Sequence, residues 1–191
     1  MSASMVRLGV FNNVSLDGYF VDASGDMRWA HNTKPDPEWD AFVAGNASGG
    51  GRLLFGRKTY DLMASYWPTP MAAKNMPAVA EGMNKMPKIV FSRTLARADW
   101  NNTTLLKGDL VAEVRKLKND SGPDMAILGS GSIVAQLAQE NLIDQFQVAV
   151  IPIVLGAGRT MFDGVKCRLN LKLTNSRAYR NGNVVLSYES A

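Results

Sequence analysis

Two short segments bring chemistry-bearing residues to a turn between a strand and a helix. The first is Leu53-Leu54-Phe55-Gly56-Arg57-Lys58-Thr59-Tyr60, and the second is Ala126-Ile127-Leu128-Gly129-Ser130-Gly131-Ser132-Ile133. In each, a hydrophobic run ends on glycine and a helix opens at once. A glycine lets a ligand come close to the main chain. The helix start behind it offers N–H groups without partners and a partial positive charge, which suits a phosphate. Two such turns in one chain, the first carrying Arg57-Lys58-Thr59, predict a ligand with more than one phosphate contact. That points to a nucleotide cofactor.

Composition narrows the class of protein around these turns. The 191 residues suffice for one domain with a well-formed core. A hydrophobic content of 46% with 20% charged residues is that of a soluble globular chain. The longest apolar runs, such as residues 148–155, are too short to span a bilayer, and residues 1–15 carry no secretory signal. A cytoplasmic protein without membrane partners is expected, with Met1-Ser2-Ala3-Ser4 as a disordered tail. One cysteine, Cys167, excludes an intramolecular disulfide. With His31 as the only histidine, a zinc site of Cys and His is excluded too, and no metal is expected. The net charge of +4 is dispersed rather than gathered in a basic run, so no nucleic-acid partner is expected. A weakly positive field suits an anionic small ligand.

The elements that must position the turns follow from pattern. Val6 to Val14 reads as a first strand, Val6-Arg7-Leu8-Gly9-Val10-Phe11 followed by a polar turn, and Ser15-Leu16-Asp17-Gly18 leaves it through an Asp-Gly turn. Residues 22–36, including Asn32, read as loop. A helix from Pro37 has Asp36 as its N-cap and ends at Ser48-Gly49-Gly50-Gly51. Arg52–Gly56 is a strand and Arg57–Ser65 a helix. Residues 68–86, rich in Pro, Met and Ala, read as a long mobile connection. Lys88–Ser92 and Thr103–Leu106 are strands. Asp109–Asn119 is an amphipathic helix with Leu110, Val111, Val114 and Leu117 on one face. Met125–Leu128 is a strand, Ser132–Gln139 a helix, and Ile143–Leu155 a strand interrupted by Pro152. Leu169–Arg177 and Val184–Tyr188 form a hairpin around Asn181-Gly182. Alternating strands and helices predict a central, mostly parallel sheet with helices on its faces; the last hairpin predicts an antiparallel edge. The fold class is α/β, in one domain. The strand around Val148 to Val154 could pair with a second subunit, so a homodimer is expected.

A Rossmann domain is the obvious competitor. Gly129-Ser130-Gly131-Ser132-Ile133-Val134 supplies two glycines of the fingerprint, but Val134 stands where glycine or alanine is needed. No P-loop pattern occurs. Instead, Leu54-Phe55-Gly56-Arg57-Lys58-Thr59-Tyr60, Ile89-Val90-Phe91-Ser92-Arg93 and Ile127-Leu128-Gly129-Ser130-Gly131-Ser132 resemble, in order, the strand ends and glycine turns of dihydrofolate reductases. Ser15-Leu16-Asp17-Gly18 and residues 152–162 resemble the C-terminal reductase domain of bifunctional riboflavin-biosynthesis deaminase-reductases. Together these motifs cover most of residues 6–188. The chain thus resembles a stand-alone member of that reductase family, with the dihydrofolate reductase-like three-layer α/β/α fold.

The resemblance implies NADPH. Carried over by position, Gly56, Arg57, Lys58 and Thr59 would line the pyrophosphate and adenosine end, and Ser92 and Arg93 would meet the 2′-phosphate. Gly129, Gly131, Ser132 and Ile133 would hold the pyrophosphate. Arginines are suited to forked, charge-assisted contacts with phosphate. The chain departs from the family in two ways. It has Gly129-Ser130 where the pattern often has Gly-Gly, and it lacks the zinc-deaminase motifs of the complete riboflavin enzyme.

Reduction of a small-molecule substrate also needs a proton for the heteroatom beside the reduced carbon. The candidate acids are Asp17, which resembles the family's substrate-side aspartate; Asp40, sixteen residues before Gly56, at an offset similar to the catalytic carboxylate of dihydrofolate reductases; Glu38; and His31. Trp29, Trp39, Tyr19, Tyr60 and Trp67 could stack on a flat heterocycle or pack in the core. Arg159 lies in a loop resembling the family's substrate-phosphate or interface loop. The reading is an NADPH-dependent reductase of a C=N or C=O bond, with a non-catalytic ligand-binding module as the alternative.

Overall fold

The computed structural model describes residues 6–31 and 34–191; the tail expected at residues 1–4 and the loop residue Asn32 lie outside the described residues. Six short apolar segments associate as parallel strands. β1 (Leu8–Ser15) lies between β6 (Met125–Leu128) and β7 (Gln145–Ile151). β3 (Arg52–Gly56) lies between β6 and β4 (Lys88–Phe91), with β5 (Thr103–Leu106) outside β4. β10 (Val184–Ser190) runs antiparallel to β7, and β9 (Leu171–Ala178) antiparallel to β10, completing an eight-stranded sheet with the expected antiparallel edge.

Side chains that alternate along each strand dress the two faces of the sheet. On one face, Leu54, Ile89 and Ile127 pack with Leu110 and Val114 of α5 (Leu110–Asn119) and with Ile133, Val134 and Leu137 of α6 (Gly131–Gln139). On the other, Leu53, Phe55 and Val90 meet Ala47 of α1 (Pro37–Ser48), Tyr60 of α2 (Arg57–Tyr66), and Val79 and Met83 of α4 (Pro77–Lys85). The result is the expected three-layer α/β/α arrangement. Asp36 caps α1 through the N–H groups of Glu38 and Trp39 (3.0 and 3.3 Å), and it also accepts from Asn181 N–H at 3.1 Å, which ties α1 to the β9–β10 turn. Asp109 caps α5 through Ala112 N–H. Among the described residues, no helix is long and apolar enough to cross a membrane.

Three expectations are corrected. Residues 68–86 are not a mobile connection: they form α3 (Pro70–Asn75) and α4. Pro70 and Pro77 occupy the start of each helix, where a missing N–H leaves no bond unmade, and Thr69 Oγ1 caps α3. Val79, Ala80 and Met83 are buried, and a Cβ on Gly82 would stand 2.1 Å from the Ala47 carbonyl oxygen, so α4 is pressed tightly on α1. Second, β7 ends before Pro152, and both its edges are taken, by β1 and β10; the free edges of the sheet belong to β5 and β9, so a second subunit cannot pair with β7. Third, the chain does not simply turn away after β1. Gly18 N–H closes the Asp-Gly turn on Ser15 O, and the chain re-enters as β2 (Tyr19–Asp22), which pairs with β8 (Gly158–Thr160). A Cβ on Gly158 would stand 2.1 Å from Val21 O, so the ribbon closes only with glycine there.

Candidate cofactor site

Parallel strands deliver their C-terminal ends to one rim, and β3 and β6 are neighbours, with Leu54 opposite Ile127. The two turns read from the sequence therefore lie side by side. Gly56 ends β3 and Arg57 opens α2 with no loop between them. Gly129 and Ser130 follow β6 in left-handed conformation, φ +59° and +52°, and Gly131 opens α6.

The turns are cross-linked. Gly56 N–H donates to Ser130 Oγ at 2.8 Å, and Ser130 N–H donates to Thr59 Oγ1 at 3.0 Å. A Cβ on Gly129 would stand 2.8 Å from Thr59 Cγ2, so glycine is required there by both dihedral and space. No side chain caps α2, α4 or α6, whereas Asp36, Thr69 and Asp109 cap α1, α3 and α5. The Ile133 and Val134 N–H groups return to the Ser130 carbonyl (2.8 and 3.1 Å). Those of Gly131 and Ser132, and the first ones of α2, have no acceptor among the described residues.

The basic residues gather at the same place. Arg57 Nη1 donates to Thr94 Oγ1 at 2.6 Å, which brings the Ser92-Arg93 end of β4 to the start of α2. Ser92 Oγ accepts from Leu95 N–H at 3.0 Å and shapes that turn. Lys58 and Arg93 are exposed and form no ion pair among the described residues. Two uncapped helix starts, a left-handed turn and exposed cations beside them suit the phosphates of a nucleotide cofactor.

One predicted cofactor residue is corrected. The Ile133 side chain is buried in the core, 3.2 Å from where a Gly56 Cβ would lie, and its N–H is spent on Ser130. Ile133 locks the two turns together and has nothing left for a ligand. Ser130, the departure from Gly-Gly, is compensated: its hydroxyl makes the bond to Gly56, against the roughly 1 kcal/mol cost of a left-handed non-glycine residue. Ser130→Gly is expected to change stability by less than about 0.5 kcal/mol, because it loses the bond and the strain together. Ser130→Ala keeps the strain and loses the bond, and is expected to cost about 1–2 kcal/mol. Denaturant midpoints of the two variants check this, and equal midpoints would refute it.

The candidate acids separate. Asp17 Oδ1 accepts from Ser15 Oγ (2.6 Å) and Leu155 N–H (3.2 Å), and Oδ2 from Gly156 N–H (2.8 Å). The Ser15 hydroxyl, with the two amides, holds this carboxyl below the usual carboxylate range. It is an ionised anchor for residues 155–156, an acceptor rather than a proton donor. Glu38 is taken by Arg177 (2.7 Å). His31 is exposed in a short 3₁₀ turn. Asp40 is exposed on the first turn of α1, on the stripe of Val43, Ala44 and Ala47. The last three of that stripe pack on the sheet. Trp39 and Tyr60 are core residues, while Trp29, Tyr19 and Trp67 are half-buried and Arg159 is exposed. One residue escaped the sequence reading. Asn12 is 3% exposed in β1, and its amide binds both polar groups of Gly129. Its signal was a polar residue at the strand parity of Leu8 and Val10.

These features define a reductase-type fold of the dihydrofolate reductase-like class. The family described as the RibD C-terminal domain matches residues 7–185, and the chain belongs to it. An uncharacterized protein of Bacillus subtilis (strain 168), YyaP, is 31% identical over 92% of this chain and 90% of its own. The crystal structure of a putative riboflavin biosynthesis protein from Shewanella sp. PV-4 has the same fold, with TM-score 0.73, 24% identity and coverage of 97% of this chain and 99% of that one. Dihydrofolate reductase from Enterococcus faecalis, complexed with NADP(H), superposes with TM-score 0.64 at 13% identity over 96% of both chains.

Proposed function

We propose that the protein is an NADPH-dependent reductase that transfers a hydride to a C=N or C=O bond of a small heterocyclic substrate, pterin- or pyrimidine-like. The observation that carries this reading is the pair of cross-linked, uncapped helix starts on one rim, with Arg57, Lys58 and Arg93 beside them. The NADP(H) complex of a protein with the same fold supports it. The amides of α2 and of Gly131-Ser132 would hold the pyrophosphate, and Ser92 and Arg93 the 2′-phosphate. Arg57, which the resemblance places at the pyrophosphate and adenosine end, is assigned to the 2′-phosphate with them, because its bond to Thr94 brings that turn alongside. When bound, NADPH supplies the hydride. The chain's part is to hold the acceptor carbon in reach and to deliver a proton to its heteroatom. Asp40 is assigned that proton, and Asp17 keeps residues 155–156 in place on the substrate side. A cytoplasmic homodimer using a free sheet edge belongs to the same reading.

Titration with NADPH and NADH, followed by nicotinamide fluorescence, tests the reading. Saturation by NADPH at sub-millimolar concentration is expected; no binding overturns it. Asp40→Asn is expected to keep NADPH binding and lose turnover of the pterin or pyrimidine that the wild type reduces. The exposure of Asp40 and the engaged carboxylate of Asp17 favour a second reading, a non-catalytic binding module on the same fold. NADPH binding without turnover of any substrate in a broad panel would select it.

A further inference from the structure

We propose that Asn12 is the positioning residue that sets the phosphate-binding turn after β6; this rests on the NADPH reading above. Asn12 lies on the core side of β1, in line with Leu8 and Val10, which are 0% and 2% exposed. Phe11, opposite Leu128, is the last rung that β1 shares with β6. Asn12 is one residue further on, level with the point where Gly129 leaves the sheet. Its Oδ1 accepts from Gly129 N–H at 2.6 Å, and its Nδ2 donates to the Gly129 carbonyl at 3.1 Å. One side-chain amide thus takes both main-chain groups that would otherwise be orphaned by the turn. Gly129 can then hold φ +59°, and the chain can present the Gly131 and Ser132 amides outward.

The chemistry is specific to a carboxamide. Aspartate offers no donor to the Gly129 carbonyl, and leucine offers neither donor nor acceptor. The second Nδ2 hydrogen reaches Met161 Sδ at 3.2 Å, so the same amide also fixes the segment after β8. A group buried to this degree in an apolar core, with every polar atom matched to one turn, acts by pre-forming that turn before the ligand arrives.

The test compares wild type, Asn12→Leu and Asn12→Asp by calorimetric titration with two probes. NADPH carries the pyrophosphate that the turn would take. Adenosine 2′-monophosphate carries only the 2′-phosphate end, which belongs to Arg57, Ser92 and Arg93. Both variants are expected to bind NADPH at least about tenfold more weakly, and adenosine 2′-monophosphate within about twofold of wild type. That split is not what a general loss of structure gives. Should Asn12→Leu fail to fold by circular dichroism, the nearly isosteric Asn12→Asp carries the comparison alone. NADPH affinity within twofold of wild type in the folded variants, or equal losses for both probes, overturns the proposal. A wild-type protein that binds neither probe overturns the NADPH reading itself, and this inference with it.

Discussion

Replacing Lys88 with methionine is expected to destabilise the protein by about 2–4 kcal/mol. Lys88 is 1% exposed at the start of β4, and its Nζ donates to the carbonyls of Met83 (2.7 Å), Asn84 (3.2 Å) and Met86 (2.7 Å) at the end of α4, 4.4 Å from the centre of the Trp100 ring. Methionine fills the space and removes a buried charge, which is favourable. It also leaves three carbonyls of a helix end without their donor, and that loss is larger because only one partner has been replaced. Burial pushes the ammonium down to about 8 from the usual 10.5. Between those two values the unfolded chain holds the proton and the folded chain has released it, so this group's contribution to stability rises with pH across the window. The gap in unfolding free energy between wild type and Lys88→Met should therefore widen as pH is raised through it. Chemical denaturation at several pH values measures both effects, and a variant as stable as wild type at neutral pH would refute the assignment.

Lys88 also shows where the sequence was legible. A lysine opening the apolar run Ile89-Val90-Phe91 reads as a solvated strand end, because nothing local announces the three carbonyls brought by α4. The same helix was missed altogether. Its segment reads as a mobile connection for its Pro, Met and Ala content, although a proline at the first helical position, as at Pro70 and Pro77, starts a helix as readily as one in the middle ends it. By contrast, the strands of the two glycine turns, and β4 beside them, were plain, since residues 53–55, 89–91 and 125–128 are short apolar runs, fully buried in β3 and β4 and alternately buried and half-buried in β6. Their adjacency was not written in either segment. It follows from strand order, which places β6 beside β3 although 68 residues separate Gly56 from Met125. The cross-links through Ser130, Thr59 and Asn12 depend on that order, and so only the elements of the site, not its wiring, could be read in advance. Asp17 was misleading for a related reason: its Ser-Leu-Asp-Gly setting resembled a substrate-side aspartate, but the chain folds residues 155–156 back onto its carboxylate.

Arg57→Ala is expected to lower NADPH affinity by about 10- to 100-fold while leaving NADH affinity nearly unchanged. A charge-assisted hydrogen bond from guanidinium to phosphate contributes about 1.5–3 kcal/mol, which corresponds to roughly 10- to 150-fold. The Arg57 side chain is 47% exposed, so solvent screening favours the lower end, and the loss should shrink as ionic strength rises. Its ion pair with Asp61 is long, at 3.4 Å, and both groups are solvated; removing it costs no more than about 0.5 kcal/mol, so the variant reports on binding rather than folding. Its bond to Thr94 adds a second effect. Without it, the Ser92-Arg93 turn loses its tie to α2, and Arg93 is left less well placed for the same phosphate. Arg93→Ala should therefore cost less in the Arg57→Ala background than alone, because the two side chains share one target and one turn. Parallel titrations of the single and double variants with NADPH and NADH decide the matter. Equal losses for both cofactors would place Arg57 at the pyrophosphate instead, and unchanged affinity for both would remove it from the site.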